Sequence, residues 1–466
     1  MSNLGIDLGT GSVKAAVVDD GRVVDKQSRR YEVRAAHPGW AETDAEQWLA
    51  AAEDAALQVL AERPVDAVGF SGQMHGVVLT DADLRPLRPA IIWADTRAVA
   101  EAEQMAVVLG STALSRLGSP AVAGFAATTL AWLAEHEPEV LARAAHVLQP
   151  KDWLRARLGG SVLTDPSDAS GTLLCDVSTG EWSPEAVAWC RVDPGMLPRV
   201  ASSSTQAGAI RLGDREVECV VGGADTACAL TGLGVRPGDG FVAVGSGAQV
   251  VCVMDGPILD ASLRTHTFAT AGPPGSGWYR IGAVQSAGLV LSPTLAMLGA
   301  TVDEANAALD GGVRPDDPVF VPYLAGERTP FMDPLMRGRW WGLSLGTDRE
   351  ALLRSVVEGV AQAVALGVAA VQESGAPMPD VLPLVGGGTY DPHFRQLLAD
   401  ATGLGLAVTD APDAAVVGAA LLAEGRSENP HPPSRITTVE PRPDAAALLA
   451  ERRARMVSVA TTREGS

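Results

Sequence analysis

Two segments of the chain repeat one another at about half its length, and this repeat constrains the fold more than any other feature. Residues 6–12 read Ile-Asp-Leu-Gly-Thr-Gly-Ser, and residues 242–248 read Val-Ala-Val-Gly-Ser-Gly-Ala. Each copy lies between two apolar stretches with strand-like composition, and Gly9 aligns with Gly245. A strand-turn-strand unit repeated at this distance predicts two similar domains that face each other, because short-period repeat proteins repeat every few tens of residues.

The length of the chain agrees with this division. A chain of 466 residues is too long for one hydrophobic core. Strand-like and helix-like segments alternate along it, which predicts the α/β class. We place the boundary so that residues 1–236 form an amino-terminal domain and residues 237–466 a carboxyl-terminal domain.

The two hairpins differ at one position that bears on chemistry. Asp7 in the first copy corresponds to Ala243 in the second, so only the first hairpin carries a carboxylate for Mg²⁺. Backbone N–H groups and hydroxyls at both tips can bind phosphate oxygens. The predicted contacts are Thr10, Gly11, Ser12, Ser246 and Gly247. The alternative is a hairpin that uses Asp and Gly for turn geometry alone.

A third glycine turn leads from a strand into a helix and contains a candidate base. Residues 216–221 run into Gly-Gly-Ala-Asp, which ends at Asp225. An aspartate at the start of a helix is a favourable N-cap. The same carboxylate is a candidate general base for an alcohol. The local sequence fits both readings equally well.

The turn between strands at residues 65–70 and 77–80 has the composition of a polyol site. Gln73, Met74 and His75 place polar groups around one adaptable apolar side chain, and a structural histidine in a turn is the alternative. A charged pair, Glu327-Arg328, lies in another turn that a salt-bridged loop explains as well as a functional one.

Charge and composition exclude several classes of partner. The net charge of −20 repels nucleic acid and anionic membranes. No segment approaches the roughly 18 consecutive apolar residues of a membrane helix. The strand that begins near Met1 leaves no room for a signal peptide, and the five scattered cysteines are typical of reduced core thiols. We therefore expect a cytoplasmic protein without a cysteine-bound metal. The oligomeric state stays open, and a homodimer is compatible with the sequence.

Taken together, these segments resemble the FGGY carbohydrate kinases over nearly the whole chain and in the same order. The Gly-Gln-Met-His-Gly turn at 72–76 most resembles the members that act on xylulose. Further segments that resemble the family are 150–155, 165–172, 222–225, 323–330 and 386–388.

The resemblance implies two actin-like, ribonuclease-H-like domains that close over ATP, Mg²⁺ and a small ketose. It implies that Asp225 is the base and Asp7 the metal-associated acid. By the same resemblance, the sugar contacts would be Gln73, Met74, His75 and Thr226, and the nucleotide would lie against Gly387 and Gly388.

Departures from the family pattern leave the exact sugar open. Thr226 stands where the family often has Asn, the second hairpin lacks the usual Gly-Thr-Ser-Gly, and Ser292-Pro293 stands where a tryptophan is common. The expected product is D-xylulose 5-phosphate. Alternatives are a kinase for ribulose, a deoxy-ketose or glycerol, an actin- or chaperone-like nucleotide switch, and a degenerate kinase that only binds sugar.

Overall fold

The structure is a computed structural model, and it describes residues 2–61, 63–387 and 391–462. Its two halves are each built around one mixed seven-stranded sheet, with helices packed on the faces. Short two-stranded ribbons decorate both halves.

The first half contains fifteen strands among the residues that the structure describes. They are β1 (Ser2–Leu8), β2 (Ser12–Asp19), β3 (Arg22–Arg30), β4 (Glu42–Thr43), β5 (Ala67–Gly72), β6 (Val78–Thr80), β7 (Ala90–Ile91), β8 (His146–Leu148), β9 (Leu163–Thr164), β10 (Cys175–Asp176), β11 (Glu181–Trp182), β12 (Arg199–Val200), β13 (Gln206–Leu212), β14 (Arg215–Val220) and β15 (Gly223–Ala224).

The first half contains eight α-helices among the residues that the structure describes, and six of them lie within residues 99–189. They are α1 (Ala45–Leu60), α2 (Val99–Arg116), α3 (Ala126–His136), α4 (Pro138–Ala142), α5 (Pro150–Arg157), α6 (Pro166–Ser170), α7 (Pro184–Trp189) and α8 (Asp225–Leu233). Asp44 caps α1, because its carboxylate accepts the N–H of Glu46.

The second half repeats this plan with fewer additions. Its strands are β16 (Gly240–Val244), β17 (Ala248–Met254), β18 (His266–Ala269), β19 (Trp278–Val284), β20 (Val319–Val321), β21 (Arg339–Trp341), β22 (Val381–Val385), β23 (Gly405–Thr409) and β24 (Arg435–Val439). Its helices are α9 (Gly288–Met297), α10 (Val302–Ala307), α11 (Arg349–Glu373), α12 (Pro392–Thr402), α13 (Ala414–Ala423) and α14 (Pro443–Thr461).

The two large sheets share one topology, as the repeat predicts. The first sheet has the order β13-β14-β5-β1-β2-β3, with β15 as a seventh strand that also pairs with β5. The second has the order β18-β19-β17-β16-β22-β23-β24. In each, the first strand of the repeated hairpin pairs antiparallel with its successor and parallel with a later strand. The sequence repeat is therefore a structural repeat. Loops at the carboxyl ends of parallel strands form ligand sites in such sheets.

Helix α13 departs from a simple division of the chain at residue 236. It follows β23 of the second sheet but packs on β1, β5 and α8 of the first half. Glycines allow this approach, since a Cβ on Gly5 or Gly69 would overlap a carbonyl oxygen of α13. The division at 236/237 stays a prediction, and α13 couples the two halves.

Helix α11 is long and apolar enough to cross a membrane by length and composition alone. In the described structure, 89% of its most apolar window is buried inside the protein. It packs against β17, β19 and α12 in the second half. It is the central core helix of that half.

Candidate active site

A cavity of about 310 Å³ lies between the two halves at the ends of the central strands. Both halves and the segment before α13 contribute side chains to it. The lining includes Asp7, Asp225, Thr226, Phe241, Ala243, Gln249, Val385 and Ala411. The structure thus brings Asp7 and Asp225 into one site, although 217 residues of chain separate the two.

Asp7 is held by the pairing of two parallel strands. It lies opposite Ser71 of β5, whose hydroxyl donates to its Oδ1 at 2.8 Å. Burial raises the pKa of Asp7, while the Ser71 hydrogen bond and the charge of Lys14 lower it. The other carboxylate oxygen accepts no hydrogen bond from the described residues. One face of Asp7 is therefore available to a ligand in the cavity.

Asp225 is the first residue of α8 and does not cap it. The N-cap position is Ala224, and no side-chain hydrogen bond caps the helix. The alternative reading of Asp225 as an N-cap is therefore wrong. Instead, its Oδ1 accepts the N–H of Thr226 at 2.6 Å and the Thr226 hydroxyl at 3.2 Å. Thr226 thus orients the carboxylate from the adjacent position.

The backbone before Asp225 requires glycine. Gly222 has a φ of +81°, and a Cβ there would overlap the carbonyl oxygen of Phe70. This close approach lets β15 pair with the end of β5. The turn consequently directs the chain into α8 at the cavity, with Asp225 at its start.

Burial and a second negative charge raise the pKa of Asp225 to about 6. The charge is that of Asp7, and the hydrogen bonds from Thr226 act in the opposite sense. A carboxylate with such a pKa is still ionised at neutral pH, yet it is more basic than an ordinary aspartate. This combination suits a general base.

The first hairpin is tied to neighbouring loops. The Trp93 indole N–H donates to Oγ1 of Thr10 at 2.9 Å, and the Tyr31 hydroxyl donates to the carbonyl oxygen of Gly9. Gly11 is exposed and Ser12 half-buried. These contacts fix the hairpin while leaving its tip accessible. The predicted phosphate contacts there stay predictions.

The second hairpin abuts the start of α9. The N–H groups of Gly288 and Leu289 donate to the carbonyl oxygens of Gly245 and Ser246, at 3.0 and 2.8 Å. Ser246 is exposed and Gly247 half-buried, and neither lines the cavity.

The third glycine turn of the predicted nucleotide site follows β22. Gly386 has a φ of +104°, and a Cβ there would overlap β16. Gly387 is exposed, and Gly388 lies outside the described residues.

The turn after β5 contains the predicted sugar contacts. Gln73 is buried, and its Nε2 donates to the carbonyl oxygen of Gly9 at 3.3 Å. Its Oε1 is buried and has no hydrogen-bond partner among the described residues. The Tyr279 hydroxyl donates to the sulfur of Met74 at 3.7 Å. Gln73 therefore connects this turn to the first hairpin, and Tyr279 connects it to the second half.

His75 is neutral and has a defined tautomer. Its φ is +73°, and the ring stacks on Phe125 with centroids 3.8 Å apart. Burial lowers its pKa to about 3. Nδ1 lies 2.6 Å from the carbonyl oxygen of Gly171, which can only accept, so Nδ1 carries the hydrogen. Nε2 is therefore a hydrogen-bond acceptor.

The cavity that contains Asp225 is not lined by Gln73, Met74 or His75. The structure therefore brings together the two acids and Thr226, and it buries the predicted sugar turn separately. Tyr279, which contacts Met74, has its pKa raised by burial and, in the same sense, by the charge of Asp225.

Sequence reasoning missed a buried ionic network behind the turn that carries Asp225. Lys151 is fully buried, with its Nζ 2.7 Å from Asp152 and 3.0 Å from both Asp165 and Asp168. Burial raises the pKa of Asp168 well above its usual value. Scarcity was a usable signal, because the chain has only three lysines, Lys14, Lys26 and Lys151.

This network reaches the backbone beside the base. The Ser167 hydroxyl donates to Asp165 at 2.5 Å and accepts the N–H of Ala224 at 2.8 Å. Arg155 donates to the carbonyl oxygen of Val221 at 2.5 Å. The turn is therefore held by Arg155 at Val221 and by Ser167, which is itself bonded to Asp165, at Ala224.

Asp7 contributes one carboxylate to a candidate Mg²⁺ site. Among the residues that the structure describes, no three His, Cys, Asp or Glu side chains cluster as metal ligands. Mg²⁺ in phosphoryl-transfer sites is commonly bound by one or two carboxylates together with substrate phosphates and water. Asp7, which has one unbonded oxygen at the cavity, fits binding of Mg²⁺ by one carboxylate with phosphates and water. The described residues do not form a complete set of protein ligands.

Comparisons with known proteins identify the family of the chain. Residues 2–232 match the FGGY family of carbohydrate kinases, N-terminal domain, and residues 267–424 match its C-terminal domain. The chain is 34% identical to the xylulose kinase of Escherichia coli (strain K12) over 438 residues, which are 90% of this chain and 89% of that protein.

Solved structures give the same result. A xyloylose (xylulose) kinase from Brucella ovis is 32% identical, with a TM-score of 0.92 and 98% of each chain covered. A Plasmodium falciparum glycerol kinase with ADP shares the fold at 20% identity, with a TM-score of 0.88 and 99% and 98% of the chains covered. These matches confirm the predicted α/β fold of two actin-like, ribonuclease-H-like domains. The chain therefore belongs to the FGGY family of carbohydrate kinases.

Proposed function

We propose that this carbohydrate kinase transfers the γ-phosphoryl group of ATP to the terminal 5-hydroxyl of D-xylulose. The observation that carries the proposal is the joint placement of Asp7 and Asp225 in one cavity between the halves. The substrate is proposed from the relatives, since xylulose kinases match over nearly the whole chain at 34% and 32% identity.

In the proposed mechanism, Asp225 accepts the proton of the attacking hydroxyl. Phosphoryl transfer needs an aligned nucleophile and charge neutralisation more than covalent chemistry from the protein. The raised pKa of Asp225, about 6, makes it a stronger base than a solvated aspartate. Thr226 donates to one carboxylate oxygen, so the other is the one that faces the sugar.

Asp7 is the proposed partner of Mg²⁺, which would neutralise charge on the phosphates when bound. The hydrogen bond from Ser71 fixes the Asp7 carboxylate near the end of β1. The hairpin tips would contact phosphates through Thr10, Gly11, Ser12, Ser246 and Gly247, with Gly387 and Gly388 on the nucleotide side.

The turn after β5 is proposed to recognise the sugar. Neutral His75 presents Nε2 as an acceptor, and buried Gln73 has an amide oxygen without a partner in the described chain. Both groups accept hydrogen bonds, which suits the hydroxyl donors of a ketose. Met74 would supply the apolar surface, and Thr226 the remaining polar contact.

Another ketose or polyol is the remaining alternative within the family. The gluconate kinase from Lactobacillus acidophilus and the glycerol kinase share only the fold with this chain, at 21% and 20% identity. Their resemblance therefore does not choose a sugar. The actin- or chaperone-like switch is excluded as a class, because the family consists of carbohydrate kinases. A homodimer and a cytoplasmic location stay predictions.

An ADP-release assay over a panel of ketoses and polyols tests the proposal. We expect D-xylulose to give the highest kcat/KM, with D-ribulose, 1-deoxy-D-xylulose, gluconate and glycerol at least tenfold lower. A higher value for another sugar would replace xylulose as the substrate. Sugar binding without ADP release would identify a degenerate kinase.

A further inference from the structure

The turn that contains Glu327 and Arg328 is not a salt-bridged loop. Glu327 is buried and accepts the N–H groups of Gln285, Ser286 and Arg328, at 2.6, 3.2 and 2.8 Å. Over residues 2–61, 63–387 and 391–462, no carboxylate lies within ion-pair distance of the Arg328 guanidinium. Glu327 therefore binds backbone N–H groups, and Arg328 has no counterion at ion-pair distance among the described residues.

The Arg328 guanidinium crosses from the second half to the first. Its Cζ lies 5.6 Å from the centre of the Trp93 ring. The indole N–H of Trp93 donates to Thr10 at the tip of the first hairpin. Burial is the main cause of the lowered pKa values of His75 and His266, and the charge of Arg328 lowers both as well. Arg328 therefore lies between the proposed phosphate hairpin and the proposed sugar turn.

The three lysines of the chain already have carboxylate partners. Lys14 lies 2.9 Å from Asp413, and Lys26 lies 2.7 Å from the same carboxylate. Lys151 is surrounded by three aspartates in the interior. Each lysine thus has a carboxylate partner, whereas Arg328 has none within ion-pair distance among the described residues.

We propose that Arg328 binds the transferring phosphoryl group, as the guanidinium by which the second domain neutralises charge on the ATP γ-phosphate and on the sugar phosphate. The inference rests on the proposed function and names a further residue for it. It requires no covalent step by Arg328, which remains protonated throughout.

Charge argues for a phosphoryl ligand over a neutral sugar. Burial lowers the pKa of Arg328, and the charge of Glu327, which lies beyond ion-pair distance, offsets only part of that effect. A polyol would leave that charge uncompensated, whereas a phosphoryl oxygen forms a charge-assisted and often bidentate pair. The cation–π contact with Trp93 holds the guanidinium in place meanwhile.

Binding of product and of sugar distinguishes the two ligands in Arg328→Met. By calorimetry in the presence of ADP, we expect the affinity for D-xylulose 5-phosphate to fall about 10–100-fold, and that for D-xylulose to change less than twofold. The kcat should fall about 10²–10³-fold. Arg328→Lys should recover part of both losses, because it retains the charge but not the planar fork. If the Met variant does not fold, the Lys variant supports the same comparison.

The matched control is Arg337→Met, an exposed arginine in the same segment that bonds only to neighbouring carbonyl oxygens. Its affinities and kcat should equal those of the wild type. Equal losses for sugar and sugar phosphate in Arg328→Met would overturn the proposal in favour of a sugar contact. Unchanged product affinity would reduce Arg328 to a packing partner of Trp93.

The proposed function is tested separately by the wild type. If another sugar proves to be the substrate, that sugar and its phosphate ester replace the xylulose pair, and the proposal for Arg328 is tested unchanged.

Discussion

Asp225 illustrates how one residue type serves two purposes that only its backbone position separates. At an N-cap, the carboxylate would be consumed by the N–H groups of the first helical turn. Here α8 begins at Asp225 itself. The turn at Gly222 and the strand β15 end at Ala224, which takes the N-cap position. The carboxylate is consequently directed into the cavity with Asp7, and both burial and repulsion raise its pKa.

Removing the carboxylate should abolish most of the activity. We expect Asp225→Ala to lower kcat about 10²–10⁴-fold while the affinity for an ATP analogue changes less than twofold. For the wild type, kcat/KM should fall about tenfold per pH unit below about 6, since the base must be ionised. Steady-state ADP release and calorimetry measure both. Asp255→Ala, at an exposed turn, is the control. Near-normal turnover would remove Asp225 from the role.

The same carboxylate should destabilise the protein at neutral pH. Because the pKa is about 6 in the fold and 3.8 as the ordinary value, folding is penalised above pH 6 and the penalty vanishes below pH 3.8. Asp225→Asn should therefore raise the unfolding free energy by up to about 3 kcal/mol at pH 8. The gain should shrink at pH 4.5. Denaturant titrations at the two pH values measure this, and a gain that grew on acidification would contradict the raised pKa.

At the scale of elements, glycine positions decide how α13 reaches the first sheet. Backbone carbonyls of this helix occupy the space where side chains of Gly5 and Gly69 would stand. Gly418 of α13 is packed as closely on the carbonyl oxygen of Cys228 in α8. This contact positions α8, whose first residue is Asp225. Helix packing and base placement are therefore coupled.

A single methyl group at this interface should be costly. We expect Gly69→Ala to lower the unfolding free energy by about 2–3 kcal/mol or more, because the new Cβ meets rigid backbone of Ala419. Gly256→Ala is the matched control, since its Cβ would meet nothing within 4 Å and its φ is not left-handed. The control should change stability by less than about 0.5 kcal/mol. Equal unfolding midpoints for the two variants would contradict the close packing of α13.

For the whole molecule, the active cavity exists only where both halves meet. Asp7 and Asp225 come from the first half, and Phe241, Ala243 and Val385 come from the second. Arg328 and Trp93 form a further contact across the halves. A ligand that touches both sides must therefore bias their relative position.

Sugar and nucleotide should consequently bind cooperatively. We expect a non-hydrolysable ATP analogue to strengthen binding of D-xylulose at least fivefold, since either ligand stabilises the arrangement that the other requires. Calorimetric titration of the sugar with and without the analogue measures this coupling. A sugar that the enzyme does not phosphorylate provides the comparison. Equal sugar affinities in both titrations would show that the halves respond independently.

The sequence alone determined the duplicated architecture, and it singled out Asp7 and Asp225 as candidate acids. Local patterns suffice for that, because strand pairing in a hairpin is specified by neighbouring residues and was visible twice, at Gly9 and Gly245. The asymmetry between Asp7 and Ala243 is equally visible in the sequence, and it leaves only the first hairpin with a candidate metal-binding carboxylate. The family resemblance was confirmed by the matches over both halves.

Only the tertiary structure decided which charges are free. Lys14, Lys151 and Arg328 are equivalent cations in the sequence. In the described structure the two lysines are paired with aspartates, and Arg328 has no carboxylate within ion-pair distance. Likewise, α13 belongs to the second half by position and packs on the first by contact. The Lys14–Asp413 pair and the docking of α13 depend on distances between segments far apart along the chain, and no local pattern encodes those distances.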